Sequence, residues 1–255
     1  MFAICHLSMI PLRKEDSDRS EITSQLLFGE AVEILDKKKG WFLVRQLFDD
    51  YTGWIDQKQV QPISDEEAQT FMAQPMVVST DLIQIALSGG LLTSIVMGST
   101  LPFFHERKVS FGGREYSYEG NTQMVNQTFP DKISSYAHMY LNSPYLWGGR
   151  SPFGIDCSGF TQVVFKLCGY KLKRDANQQA EQGEDVHLFQ EAKPGDLAFF
   201  DNKEGKIIHV GIILPGNRII HASGQVRIDI LDHQGIYNEA AKGYSHNLRL
   251  IRRIS

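Results

Sequence analysis

The chain is poor in the features that define several large protein classes. Only three cysteines, Cys5, Cys157 and Cys168, occur in 255 residues, too few and too irregularly placed for a disulfide framework or a Cys-x-x-Cys metal site. Cys157 and Cys168 fall on one predicted helix, which separates them by about 16 Å, whereas a disulfide spans under about 7 Å between Cα atoms. Free thiols are therefore expected, and they suit a reducing cytoplasm. No cluster of lysine and arginine resembles a phosphate-tracking patch, and a formal charge of -4 gives no support for a nucleic-acid partner. No apolar run has the length of a membrane span. The longest, Leu82 to Met97, is broken by Gln84, Ser88, Gly89, Gly90, Thr93 and Ser94. Met1 to Pro11 lacks the basic start and sustained apolar stretch of a signal peptide, so a cytoplasmic protein with no membrane partner is expected.

The most informative stretch is Tyr145-Leu-Trp-Gly-Gly-Arg-Ser-Pro-Phe-Gly-Ile-Asp-Cys-Ser-Gly-Phe-Thr-Gln162. Its glycines and proline make a loop of Gly148 to Gly154. Apolar residues then recur at Phe160, Val163, Val164 and Leu167, the spacing of one helical face. Cys157 thus sits in the first turn of a helix that Asp156 is placed to cap. The unpaired N–H groups and positive dipole end there are expected to favour a thiolate. Cys168, beside Leu167 on a packed face, reads as a buried structural thiol.

A nucleophilic thiol needs a base, and two downstream strand-like segments each carry a histidine: His209-Val-Gly-Ile212 and Arg218-Ile-Ile-His221. If the strands form a hairpin around Leu214-Pro-Gly-Asn217, both imidazoles share a face when the loop has an odd number of residues or a bulge shifts the register. A loop centred on Pro215 would set them directly opposite. Taken singly, each histidine reads as a hydrogen-bonded core residue and the cysteine as a small apolar group. Together they form a candidate Cys157-His209-His221 triad, with a Cys/His/His zinc site as the chemical rival.

These residues resemble the NlpC/P60 cysteine peptidases. Asp156-Cys-Ser-Gly-Phe160, Gly195-Asp-Leu-Ala-Phe-Phe200, His209-Val-Gly-Ile212 and His221-Ala-Ser223 follow that family's order. The resemblance covers 129–255 and implies a papain-like fold with no cofactor and no metal. Helical patterning near Ile133, Ala137, Tyr140 and Leu141 and in the segment after Cys157, followed by strands, gives the α+β order such a domain requires. The N–H of Cys157 is placed by the helix start to serve as an oxyanion donor, and Tyr145 matches a tyrosine the family sets over the site.

Upstream, strand-like runs at Ala31 to Leu35, Trp41 to Gln46 and Trp54 to Val60 are separated by Lys37-Lys-Lys-Gly40 and Asp49-Asp50. Gly40-Trp-Phe-Leu-Val44 and Tyr51-Thr-Gly-Trp-Ile55 resemble bacterial SH3 (SH3b) domains. Strand character returns at 77–87, 92–97, 101–105 and 108–111, and Gly98-Ser-Thr-Leu101 echoes Gly29-Glu-Ala-Val32. The expected order is an SH3b-like barrel over 1–63, a linker over 64–75, a second SH3b-like barrel over 76–128, and the peptidase domain over 129–255, in a monomer.

NlpC/P60 enzymes with N-terminal SH3b domains include endopeptidases that cut after γ-D-glutamate in murein peptides with a free N-terminal L-Ala, and the resemblance implies that substrate here. Arg174-Asp-Ala-Asn-Gln-Gln179 is similar to that subgroup's motif, with Ala176 where some relatives carry serine. It implies that Asp175 binds the substrate ammonium, while Arg174, Asp156 and Ser158 surround the D-Glu α-carboxylate. Tyr51 and Glu30 match positions that help hold the amine, although Glu30 also reads as a solvated turn residue. The rival readings are a wall-binding SH3b protein with an inactive peptidase domain, and an amidase or acyltransferase of the same fold.

Overall fold

The computed structural model describes residues 1–255. The chain divides into two units: Met1–Gln127 with Trp147–Pro152, and Thr128–Leu146 with Phe153–Ser255.

In the first unit, alternation of apolar and polar residues produces β1 (Phe2–Cys5), β2 (Met9–Arg13), β3 (Ile22–Leu27), β4 (Ala31–Lys38), β5 (Trp41–Gln46), β6 (Thr52–Asp56) and β7 (Val60–Ile63). In β5, Phe42, Val44 and Gln46 are buried while the residues between them are partly or fully exposed, the period of two expected of a sheet with one wet face. The strands pair antiparallel in the order β3-β2-β6-β5-β4-β1-β7. Cys5, Leu12, Leu26, Val32, Val44, Ile55 and Val60, one from each strand, join a single buried cluster, so the sheet curls around its inner face. The strand expected over Trp54 to Val60 is interrupted. The Asp56 carboxylate accepts from the Lys58 N–H and turns Gln57–Gln59 into a short 3-10 helix between β6 and β7.

The linker segment, whose Ser64-Asp-Glu-Glu67 start reads as a short polar helix, forms α1 (Asp65–Ala73), capped by Ser64, whose hydroxyl accepts from the Glu67 N–H. After it come β8 (Met76–Ser79), β9 (Ile83–Ser88), β10 (Leu91–Val96), β11 (Lys108–Phe111), β12 (Arg114–Tyr118) and β13 (Thr122–Val125). They form a four-stranded sheet, β10-β9-β12-β11, and a separate pair, β13-β8. The strand expected at Leu101 to His105 is absent. Pro102 has no N–H to give a ladder, and Phe103, at φ +51°, has left the extended region. The strand order of 76–128 therefore differs from that of 1–63. Nor is its core separate, because Ile4, Phe28 and Ala68 cluster with Val77, Ile95, Val109 and Tyr118. Gly29 lets the two parts approach, since a Cβ there would lie 2.0 Å from the Thr100 carbonyl oxygen.

Segment 147–152, with the short strand β14 (Arg150–Ser151), belongs to this first unit although it lies inside the stretch expected to be peptidase domain. The reason is a buried charge. Arg150 Nη1 and Nη2 donate to the Glu30 carboxylate at 2.7 and 2.9 Å, and Arg150 is fully buried.

The second unit holds α2 (Ile133–Met139), β15 (Gly154–Ile155), α3 (Cys157–Leu167), α4 (Ala176–Gln179), β16 (Glu184–Asp185), β17 (Leu197–Asp201), β18 (Ile207–Leu214), β19 (Arg218–Ser223), β20 (Gln225–Leu231), β21 (Gly235–Asn238) and β22 (Gly243–Arg253). The sheet order is β16-β22-β17-β18-β19-β20-β21, and β22 also pairs with β21, which closes six strands into a barrel. Closure leaves those six without a free edge. All eleven residues of α3 are buried, as a helix enclosed on every side must be, and it packs on β18 and β19. The helix-then-strand order is that of an α+β domain. No helix of the protein is long and apolar enough to cross a membrane.

Candidate active site

The candidate nucleophile, Cys157, is positioned by a capped helix start. Asp156 takes extended φ and ψ, and its Oδ1 accepts from the Gly159 N–H at 2.7 Å. That cap leaves the Ser158 N–H facing the Cys157 sulfur, which also receives the N–H of Val210 from β18. Cys157 is only 7% exposed. Burial pushes its thiol up to about 12, and the Asp156 charge adds to the rise. The Val210 N–H, Arg174 and the Ser158 N–H pull the other way without overcoming it. Burial beside the Asp156 carboxylate thus opposes the thiolate that the helix start was expected to favour.

The candidate base, His209, comes from the strand whose Val210 N–H meets the sulfur. In β18 and β19, Gly211 pairs with His221 and Leu214 with Arg218, so the loop Pro215-Gly-Asn217 has three residues and is centred on Gly216. The odd loop length puts His209 and His221 on one face, but two residues out of register rather than directly opposite as a Pro215-centred loop would set them. Directly opposite His221 stands Gly211. A Cβ there would lie 2.9 Å from His221 Cβ and closer still to Ile219, so the glycine of His-Val-Gly-Ile makes room for the imidazole. The two rings meet edge to face, with His209 Nε2 and His221 Nδ1 2.8 Å apart. Nitrogens that point at each other in this way are hydrogen-bonding partners rather than ligands converging on one ion. The His209 imidazole is held well below its ordinary range, first by burial and then by the neighbouring His221 and His246.

Three residues of this site were not anticipated from the sequence. His246, on β22, stacks on His209 with centroids 4.2 Å apart and planes at 23°, and burial lowers its imidazole to about 4. Asp229 and Arg227 continue the line on β20: His221 Nε2 lies 3.0 Å from Asp229 Oδ2, and Arg227 Nη2 donates to Asp229 Oδ1 at 2.8 Å. Alternation carries the signal for this pair, because Arg227 pairs with His221 and Asp229 is two residues further on the same face. No sequence feature marked His246.

The residues expected around a substrate carboxylate and amine fall together beside the thiol. Arg174 is 1% exposed and donates to both Asp156 oxygens, Nη1 to Oδ1 at 3.1 Å and Nη2 to Oδ2 at 2.6 Å. Nη1 also donates to Ser158 Oγ at 2.9 Å. Asp175 is half-buried at the N-cap of α4, its N–H donating to Gln178 Oε1 at 3.2 Å. Tyr145 is 37% exposed. Its phenol is pushed up to about 12, first by burial and then by Cys157 and Asp156, which puts it next to the nucleophile as a donor that stays protonated. Ala176 is buried and presents no hydroxyl.

Tyr51 and Glu30 belong to the first unit. Tyr51 is half-buried against the apolar cluster of the curled sheet. Glu30 is not the solvated turn residue that one reading made it: it is 3% exposed, and its carboxylate accepts from Arg150 and from the Leu27 N–H.

Comparison with known proteins gives the family. Residues 142–244 match the NlpC/P60 family, and residues 12–60 match the bacterial dipeptidyl-peptidase Sh3 domain. A γ-D-glutamyl-L-lysine dipeptidyl-peptidase of Bacillus subtilis (strain 168) is 34% identical over 218 residues, 79% of this chain and 72% of the relative. The chain belongs to the NlpC/P60 family. As a member it is a cysteine peptidase, a hydrolase, with an N-terminal SH3 domain. A protein of the same name from Bacillus cereus is 28% identical over 253 residues, covering 88% of this chain and 75% of its own. The crystal structure of an NlpC/P60 family protein from Bacillus cereus shares the fold, with a TM-score of 0.85 over 99% of both chains at 22% identity.

Proposed function

We propose that this peptidase hydrolyses the bond between γ-D-glutamate and the following L-diamino acid in murein peptides that begin with a free L-Ala, releasing L-Ala-γ-D-Glu. The observation that carries the reading is the buried Arg174 held against Asp156 and Ser158 beside the Cys157 thiol, with the half-buried Asp175 next in the chain. A guanidinium there suits the free α-carboxylate that only a γ-linked glutamate presents close to its scissile carbonyl. A carboxylate one residue on suits an ammonium. The names of the Bacillus relatives support the same substrate.

In this reading His209 takes the thiol proton as the sulfur attacks the γ-carbonyl. The oxyanion forms near the Cys157 N–H and the Tyr145 hydroxyl. His209 then gives its proton to the leaving amine, and water, deprotonated by the same imidazole, releases the dipeptide and restores the thiol. With the thiol pushed up to about 12 and His209 pushed down, the resting pair is neutral, so the proton moves during attack rather than before it. Residues 76–128 act as a second, diverged SH3b-like module. A peptide with a free L-Ala has already lost its glycan strand, which gives the enzyme a place in recycling wall fragments in the cytoplasm.

Mass analysis of products from L-Ala-γ-D-Glu-L-Lys and its diaminopimelate analogue tests the reading. The expected product is L-Ala-γ-D-Glu from at least one of them. N-acetylation of L-Ala removes a charge-assisted contact of about 1.5 to 3 kcal/mol, so kcat/KM should fall by roughly ten- to a hundredfold. Asp175→Asn should lose rate on the free peptide while discriminating less between the two. Cleavage of neither peptide, or equal cleavage of free and acetylated forms, would overturn the substrate assignment.

A further inference from the structure

Behind His221 lies a carboxylate to which neither the motifs nor the proposed chemistry gives a task. Asp229 is largely buried on β20, its Oδ2 3.0 Å from His221 Nε2. Arg227 holds both of its oxygens, with Nη2 donating to Oδ1 at 2.8 Å and Nε 2.7 Å from Oδ2. Three strands thus carry one unbroken line, Arg227–Asp229–His221–His209, which ends at the β18 backbone whose Val210 N–H meets the Cys157 sulfur.

We propose that Asp229 is a positioning residue which, acting through His221, fixes the hydrogen positions on both imidazoles and so makes Nδ1 of His209 the atom that accepts the Cys157 proton. The inference rests on the reading of Cys157 as nucleophile and His209 as base. A carboxylate paired with arginine offers only acceptors, so the hydrogen between it and His221 sits on His221 Nε2. Neutral His221 then has its lone pair on Nδ1. The 2.8 Å contact from that atom to His209 Nε2 is a hydrogen bond only if His209 Nε2 carries the hydrogen, which leaves the lone pair of His209 on Nδ1. Without Asp229 the opposite arrangement becomes available. His221 Nδ1–H would donate to His209 Nε2, and His209 would turn an N–H rather than a lone pair toward the thiol. The catalytic step itself is unaltered in balance: one proton leaves sulfur for His209 Nδ1, and the resulting imidazolium donates through His221 toward the Asp229 carboxylate.

The surroundings limit what else can set these hydrogens. His209 is faced by His221 from β19 and by His246 from β22. Asp229 is faced by His221 and by Arg227 of its own strand, and its charge raises His246. Among these Asp229 is the one carboxylate, and it contacts His221. Burial alone would raise its carboxyl, but the hydrogen bonds from His221 and Arg227 outweigh burial and hold it below its ordinary value.

The test reads the hydrogens directly. Long-range proton–nitrogen correlation spectra of the ring-labelled full chain, at a pH where the histidines are neutral, should show both His209 and His221 as Nε2–H tautomers. In Asp229→Ala, and less completely in the isosteric Asp229→Asn, a substantial Nδ1–H population should appear at both. Over the same variants kcat should fall at least about tenfold while KM stays within about twofold, and Asp229→Glu should recover part of the loss. Nδ1–H signals at His221 in the unmutated protein would overturn the proposal. So would unchanged tautomers in both variants, or kcat unchanged in both. Expected tautomers in a protein that cleaves no murein peptide would support the positioning role and refute the substrate instead, because the spectra need no turnover.

Discussion

Two thiols, Cys5 of the first unit and Cys157 of the peptidase unit, share the same burial and the same acidity. Both are enclosed, and burial pushes both up to about 12. What differs is the number of groups that favour charge on the sulfur. Cys5 donates to the carbonyl of Leu7 at 3.3 Å, with the Leu26 carbonyl behind it; one backbone hydrogen bond at Leu7 lowers the thiol, and the Glu30 charge raises it. Cys157 is met by the N–H groups of Val210 and Ser158, with a neutral imidazole on the adjoining residue, so its surroundings favour negative charge on sulfur once the proton has somewhere to go. In the proposed mechanism the base beside Cys157 sets it apart, since burial raises both thiols.

Exchanging the two sites should give opposite failures. Cys157→Ala is expected to lower peptidase activity by about 10⁴-fold or more while leaving thermal unfolding nearly unchanged, because a thiol at a helix start contributes chemistry rather than core volume. Equal losses of stability and activity would erase the contrast. The next effect sharpens what the base adds. His209→Ala should cost about 10²- to 10⁴-fold in kcat/KM, and His221→Ala less, since an orienting partner is worth less than the group that moves the proton. Rates in the reverse order would exchange the two roles.

Smaller in size, and reversed in kind, is the outcome at the other thiol. Cys5→Ser puts a more polar hydroxyl into an apolar cluster and should destabilise the first unit by about 1 to 2 kcal/mol, seen in thermal unfolding, with kcat/KM kept. The smallest effect is on pH dependence. His209 is depressed, so it stays neutral and able to accept a proton until the pH falls below the ordinary imidazole value of about 6.5. The acid limb of kcat/KM should lie below that value, with less than about a twofold change between pH 8 and 6.5. An acid limb centred at or above 6.5 would mean that burial does not control the base.

Much of the site was legible because its signals are local. Gly-rich loop, N-cap Asp156, Cys157 and the apolar spacing that follows all sit within one stretch, and local backbone rules place them without tertiary help. The histidine strands were legible as strands. Their register was not, since it turned on whether the loop was centred on Pro215 or Gly216, a difference of one residue that propensity does not resolve. Asp229 escaped because its place depends on the β19–β20 register, and His246 because it reaches the site across the closed barrel, of which sequence distance carries no trace.

The first unit repeats the lesson at larger scale. Strand character near Ala31 and Trp41 was readable from alternation, but the break at Asp56 depends on one side-chain cap. The disposition of 76–128 depends on a core shared with Ile4, Phe28 and Ala68.

The sequence by itself supplied the candidate nucleophile and base as motifs in order, and the α+β order, which follow from short-range patterning; the grouping of Arg174 with Asp156 and Ser158 came from the family resemblance. Tertiary structure alone decided which face each histidine presents, that Glu30 is buried against Arg150, that the thiol rests protonated, and that a carboxylate stands behind His221. These depend on desolvation and on contacts between strands distant in the chain, quantities that exist only once the chain has closed on itself.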